Sequence, residues 1–179
     1  KWTYTYHKRL FAYETEGAVI DQIESLVEKL SRSGHSRRAQ AITWNVALDP
    51  PTNDPPCLQR VWCRLLPGDG GSFVLNMNTH WRSRDGFKAA YMNVFALTEL
   101  QKSIAGRIAE RSGKEIRLGR YVDVADSFHI YGSYFRDFEG FLKLIEKRSF
   151  AERTWDSTYA EPMFVETREK LRREKAAKP

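Results

Sequence analysis

Two cysteines stand six positions apart in the segment NDPPCLQRVWC, Asn53 to Cys63, and the first follows a Pro-Pro pair. A thiolate is a strong nucleophile, and neighbouring cations lower a cysteine pKa from about 8.5 toward neutrality or below. Arg37, Arg38, Arg60, Arg82 and Arg84 all fall near predicted strand ends. Cys57, set on a stiffened backbone, therefore reads either as a nucleophile or as a small buried hydrophobe at a strand start. Cys63, inside the apolar run RVWCRLL, reads as core. Two further segments, SGHSRRAQ and HWRSRDG, are basic and bear hydroxyls. Guanidinium forks beside a Ser hydroxyl suit a phosphate dianion, although either segment is equally a charged loop in water. In DSFHIYGSY, His129 and Tyr131 lie two apart and share a strand face, from which both can reach a sugar hydroxyl; the alternative is a structural pair.

These residues need elements to hold them. Val19, Ile20, Ile23, Leu26, Val27 and Leu30 recur at spacings of three and four over residues 17–34, which predicts an amphipathic helix closed by Gly34. RAQAITWNVAL, 38–48, alternates Ala39, Ala41 and Thr43 against polar neighbours and predicts a strand that stops at Asp49-Pro50-Pro51. Pro50, Pro51, Pro55 and Pro56 make the next loop stiff. CLQRVWCRLL, the turn PGDGG and SFVLNMNTHW predict a hairpin. A long helix is predicted over 86–113, with Val94, Leu97, Ile104 and Ile108 apolar, Gly113 at its end, and a first half buried nearly all round. A strand over 116–134 and a helix over 136–150, carrying Phe138, Phe141, Leu142 and Ile145, follow. The tail 151–179 carries no clear pattern. The expected fold class is α/β in the α+β sense, a mixed sheet with flanking helices in a single domain over 1–179.

The totals fit that expectation. The chain has 179 residues, enough to bury one substantial core, and a mean hydropathy of -0.58 suits a soluble domain. No apolar run approaches the roughly 20 residues that span a bilayer. With only two cysteines, neither a disulfide framework nor a zinc site is predicted, and a reducing, cytoplasmic location is expected. The net charge of +6 suits an anionic partner. Much of the excess lies in TREKLRREKAAKP, which reads as a solvated helix end, so nucleic acid is not expected as the main partner. The chain opens at Lys1 without an initiator Met and is expected to be a processed or truncated form.

Taken in order, six segments resemble thymidylate synthases: SRR at Ser36 to Arg38, WNV at Trp44 to Val46, PPC at Pro55 to Cys57, RSRD at Arg82 to Asp85, Asn93, and HIY at His129 to Tyr131. FKAAYMNVFALTELQKSIA is most similar to the compact archaeal, methanogen-type branch. The resemblance implies that Cys57 adds to C6 of the uracil ring of dUMP and so activates C5 toward a one-carbon unit carried by 5,10-methylenetetrahydrofolate or a methanopterin analogue. It implies Arg82 and Ser83 on the 5′-phosphate, joined by Arg37 and Arg38 from the second subunit of a homodimer formed through the sheet face. Asn93 would read the pyrimidine edge, and His129 with Tyr131 the 3′-hydroxyl. Asp85 would bind the pterin, and Tyr6 would join the network that removes the C5 proton.

The chain departs from the family pattern at identifiable places. Leu58 replaces the usual His after the nucleophile, and Trp81 the usual Gln before the phosphate-binding Arg. GFKAAYMN replaces the usual Gly-Pro-Phe approach to the Asn, and one extra residue separates Asp126 from His129, leaving the role of Asp126 open. The family's N-terminal part and its short apolar C-terminus find no match, so an N-terminal segment is expected to be missing. The closest alternative function is a pyrimidine nucleotide 5-hydroxymethylase, in which water captures the exocyclic methylene; Asn93 favours uracil over cytosine. A catalytically silent relative or a basic nucleic acid binding protein is the alternative from another class.

Overall fold

The computed structural model describes residues 5–154 and 156–176. The chain forms two compact units, the first ending at Tyr131 and the second beginning at Gly132. In the first, helix α1 (Tyr6–Phe11) starts where the Thr5 hydroxyl accepts the Lys8 backbone N–H. Strands β1 (Tyr13–Glu14) and β2 (Val19–Ile20) form a small antiparallel ladder. Helix α2 (Gln22–Arg32) follows, then β3 (Ala39–Ile42), β4 (Leu58–Pro67), β5 (Phe73–Trp81) and β6 (Arg84–Asp85). The long helix α3 (Ala90–Ser112), β7 (Ile116–Ala125) and β8 (Phe128–His129) complete the unit.

The main sheet has the order β3-β4-β5-β7. The first two pairings are antiparallel and β5 pairs with β7 in parallel, so the sheet is mixed and flanked by helices, as the sequence predicts. A parallel neighbour requires a crossover, and α3 supplies it. The core lies between one face of this sheet and helices α2 and α3. Ile23, Leu26, Val27 and Leu30 of α2 meet Ala39 and Ala41 of β3, Val61, Cys63 and Leu65 of β4, Leu75 and Met77 of β5, and Leu97, Ile104 and Ile108 of α3. The side chain of Gln101 reaches from α3 into this layer and donates to the Leu75 carbonyl (2.9 Å), where the β5/β7 register shifts. The predicted hairpin is β4 and β5, turned through Gly70 (φ 64°) and Gly71 (φ 80°), conformations that favour glycine. Gly113 (φ 68°) ends α3 with its N–H on the Ala109 carbonyl.

Several predicted bounds move. Val19 and Ile20 belong to β2 and are exposed, because the Asp21 carboxylate accepts the Glu24 N–H (2.7 Å) and starts α2 there. The strand predicted over 38–48 stops at Ile42, since Asp49 takes the Asn45 N–H on its side chain and folds 45–49 into a turn. Helix α3 begins at Ala90, and its first turns are not enclosed: Tyr91 is 61% and Met92 64% exposed, with the buried residues starting at Leu97. The strand predicted over 116–134 divides into β7 and β8 at Asp126 and Ser127.

The second unit is helical: α4 (Phe135–Lys147), α5 (Phe150–Arg153) and α6 (Ser157–Ala176). Phe138 and Phe141 of α4 stand 6.3 Å apart by ring centres, and a capping box between Ser149 and Glu152 starts α5. The patternless tail is thus largely helix, and its basic residues Arg168, Arg172 and Arg173 are exposed.

Candidate active site

Cys57 sits half-buried just before β4, where a register shift between Leu58 and Arg60 breaks the alternation of the strand. The shift puts the Leu58 side chain wholly into the core, so the residue that departs from the family pattern packs with Val61 and Trp81. Arg82 fixes the approach to the cysteine. Its N–H donates to the Cys57 carbonyl (2.9 Å), its Nε to the Pro56 carbonyl (3.0 Å) and its Nη2 to the Pro55 carbonyl (2.6 Å). Three carbonyls of the proline-stiffened loop are thereby tied to the end of β5.

Tyr6 reaches the same place from α1. Its hydroxyl accepts the Leu58 N–H (3.4 Å), and its ring meets the Trp81 ring edge-on, 5.8 Å between centres. Burial, and then the charge of a Cys57 thiolate, raise the Tyr6 pKa, so the phenol stays protonated at neutral pH. Cys63 is entirely buried, and burial pushes its thiol to about 12. The two cysteines therefore have different chemistry available: only Cys57 borders open space.

Strand β6 pairs in parallel with β8, setting Arg84 opposite Phe128 and Asp85 opposite His129. Asp85 Oδ1 accepts the N–H groups of Phe87 (3.0 Å) and Lys88 (3.1 Å), which turns the chain toward α3. His129 and Tyr131 stack edge-on, 4.8 Å between ring centres. The result is a pocket of about 210 Å³ walled by Tyr6, Cys57, Trp81, Ser83, Arg84, Asp85, Ala89, Asn93, His129 and Tyr131. Seven residues singled out by the sequence meet there: Tyr6, Cys57, Ser83, Asp85, Asn93, His129 and Tyr131. Drug-sized pockets run to roughly 300–1,000 Å³, so this one is sized for a small ring rather than a nucleotide together with a second large ligand.

Three predicted phosphate ligands lie elsewhere. Arg82 is engaged with the cysteine loop, while Arg37 and Arg38 are exposed ahead of β3, where the Arg37 carbonyl accepts the Trp62 indole N–H (3.0 Å). Three other features escaped the sequence. Arg84, noted only as one of several basic residues, is buried; its Nη2 meets Asp123 Oδ2 at 2.7 Å, and its guanidinium lies 3.9 Å over the Trp81 ring centre. Asp123 also accepts from the Tyr121 hydroxyl (2.9 Å). Asp126, whose role the sequence leaves open, pairs with His80 Nε2 at 2.8 Å. Arg84 with Asp123, and His80 with Asp126, are partners some forty positions apart and leave no local pattern to find. Among the described residues no cluster of three or more His, Cys, Asp or Glu is placed to hold a metal, and no helix is long and apolar enough to cross a membrane.

One small cavity thus brings a cysteine thiol together with an amide, a carboxylate and a phenol, groups whose chemistry allows covalent addition to an electrophilic ring. The chain belongs to the thymidylate synthase family, whose model, described as thymidylate synthase, matches residues 2–178. It is similar to proteins of methanogens that carry the name "Putative thymidylate synthase". The one from Methanocaldococcus jannaschii is 34% identical over 143 residues, 77% of this chain and 59% of the relative. That from Methanopyrus kandleri is 39% identical over 112 residues, 63% and 48% of the two chains. That from Methanosarcina acetivorans is 34% identical over 129 residues, 72% and 52%. The chain spans about half the length of these curated relatives.

Proposed function

We propose that the protein carrying this chain is a thymidylate synthase, converting dUMP to dTMP through a covalent adduct on Cys57. The observation that carries the reading is the meeting of Cys57 with Asn93, Asp85, Tyr6 and the His129/Tyr131 pair around one pocket. Asn93 pairs its amide with the uracil edge, where an amide offers both donor and acceptor. Ring and sugar then lie between Asn93 and the His129/Tyr131 pair, with C6 presented to Cys57. Addition of the thiolate to C6 makes C5 nucleophilic, and the reduced folate, or a methanopterin analogue, supplies the methylene and the hydride. Asp85 is the proposed pterin contact: its Oδ1 is occupied by the backbone N–H groups of Phe87 and Lys88, and a carboxylate has a second oxygen for a ring N–H. Tyr6, held as the neutral phenol, serves the proton relay from C5.

The pocket alone is small for this task. We propose a homodimer formed through the sheet face, in which Arg37 and Arg38 of each subunit bind the 5′-phosphate in the other, joined by Ser83. Arg82 acts on the phosphate side as well, through the Pro55–Cys57 loop that it holds. The product decides between this reading and a hydroxymethylase. With dUMP and methylenetetrahydrofolate, mass spectrometry should find the methylated nucleotide; a hydroxymethylated product would replace the synthase reading by the other.

A further inference from the structure

Arg84 stands in the pocket wall with 2% of its side chain exposed. Its known contacts use one nitrogen and the flat face: Nη2 donates to Asp123 (2.7 Å) and to the Ala90 carbonyl (3.1 Å), and the guanidinium lies over Trp81. The aromatic stack serves the face of the cation and leaves its in-plane N–H groups unserved. Nη1 is buried and has no hydrogen-bond partner among the described residues. An unmet donor on a buried cation is costlier than a neutral one, and native structures rarely keep such a group without a use. Neither nearby carboxylate meets Nη1: Asp123 takes Arg84 Nη2 and the Tyr121 hydroxyl on Oδ2, and Asp85 takes two backbone N–H groups on Oδ1. The place is specific too. Ala90, which Arg84 holds, opens α3, and Asn93 follows within one turn.

Resting on the nucleotide reading given above, we propose that Arg84 Nη1 donates to the C4 carbonyl oxygen of the bound pyrimidine. When the Cys57 sulfur bonds to C6, the C5–C6 π pair moves onto C5 and that oxygen. No proton leaves Arg84, whose fixed positive charge meets the charge as it forms. Trp81 and Arg84, two residues that are side by side in the fold though three apart in sequence, thus form one unit: the indole supports the guanidinium and Asp123 orients it.

Removing Arg84 alone would strand Asp123, so the test uses Arg84→Gln combined with Asp123→Asn in the full-length protein. Two quantities are measured: the dissociation constant of dUMP, and the rate at which 5-fluoro-dUMP and methylenetetrahydrofolate form an adduct on Cys57. The double variant should bind dUMP within about threefold of the unsubstituted protein and form the adduct about 10²–10³-fold more slowly, as expected for loss of one oxyanion donor. An adduct rate within threefold of normal overturns the proposal. So does a loss of dUMP affinity as large as the loss of rate, which marks a phosphate contact or a purely structural residue. If the unsubstituted protein itself forms no adduct, the synthase reading fails, a result distinct from both.

Discussion

Cys63 is enclosed by the core and its thiol is raised to about 12, whereas Cys57 borders the pocket. Iodoacetamide at pH 8 should therefore modify Cys57 in the folded protein and Cys63 only after unfolding, as peptide mass mapping would reveal; equal labelling of both would contradict the assignment. Tyr6→Phe keeps the ring against Trp81 and removes the hydroxyl. Turnover should fall about 10²-fold or more while dUMP affinity stays nearly unchanged, since a proton relay acts in the reaction and not in binding. The raised groups also bear on stability in alkali. Cys63 and Tyr121 both have folded values of about 12, above their ordinary 9.0 and 10.0. Their contribution is present below the ordinary value and is lost as pH climbs toward 12. Tyr121→Phe should thus flatten the decline in denaturation midpoint above pH 10. At this scale the short motifs PPC, RSRD and HIY made legible which residues meet at one pocket, Cys57, Ser83, Asp85, His129 and Tyr131, but not that Arg82 turns to the cysteine loop. The sequence was silent on Arg84 and Asp123, whose pairing spans thirty-nine positions, and on Leu58, whose burial depends on the register shift after it.

Among the elements, the starts of helices were the least legible. The apolar stripe of α2 continues through Val19 and Ile20, and nothing in its period marks the true start; the cap at Asp21 does, by taking the Glu24 N–H. Asp21→Ala should cost about 1 kcal/mol in chemical denaturation, whereas Val19→Ser, at an exposed strand position, should be close to neutral. The loop that carries the cysteine has its own anchor. Asp49 pairs with Arg9 of α1 at 2.6 Å with both side chains nearly buried, and its other oxygen takes the Asn45 N–H at 2.6 Å. Asp49→Ala would leave the Arg9 charge without this carboxylate and should destabilise the fold by about 3–5 kcal/mol. A loss below 1 kcal/mol would show that the pair does not hold α1 to the loop. The β4–β5 hairpin was legible because β5 alternates along most of its length and PGDGG allows a tight turn, whereas register shifts break the alternation in the β4/β5 and β5/β7 pairings.

For the whole molecule, a pocket of about 210 Å³ with Arg37 and Arg38 outside it makes a second subunit central to the account. If each subunit lends its arginines to the other, Cys57→Ser and Arg38→Ala proteins, each inactive alone, should regain up to about a quarter of normal activity when mixed and allowed to exchange subunits, because one site in each mixed dimer is intact. No recovery, with exchange verified by mass, would place those arginines outside the site. The sequence points to such a division only through the family resemblance of SRR, since it depends on a surface meeting its own copy. The central claim, that Cys57 is the nucleophile of a thymidylate synthase, is met most directly by intact-mass analysis of the full-length protein incubated with 5-fluoro-dUMP and methylenetetrahydrofolate. A covalent ternary adduct located on Cys57 by peptide mapping and absent from Cys57→Ser is the expected result; an unmodified protein, or an adduct that survives Cys57→Ser, would rule out Cys57 as the nucleophile.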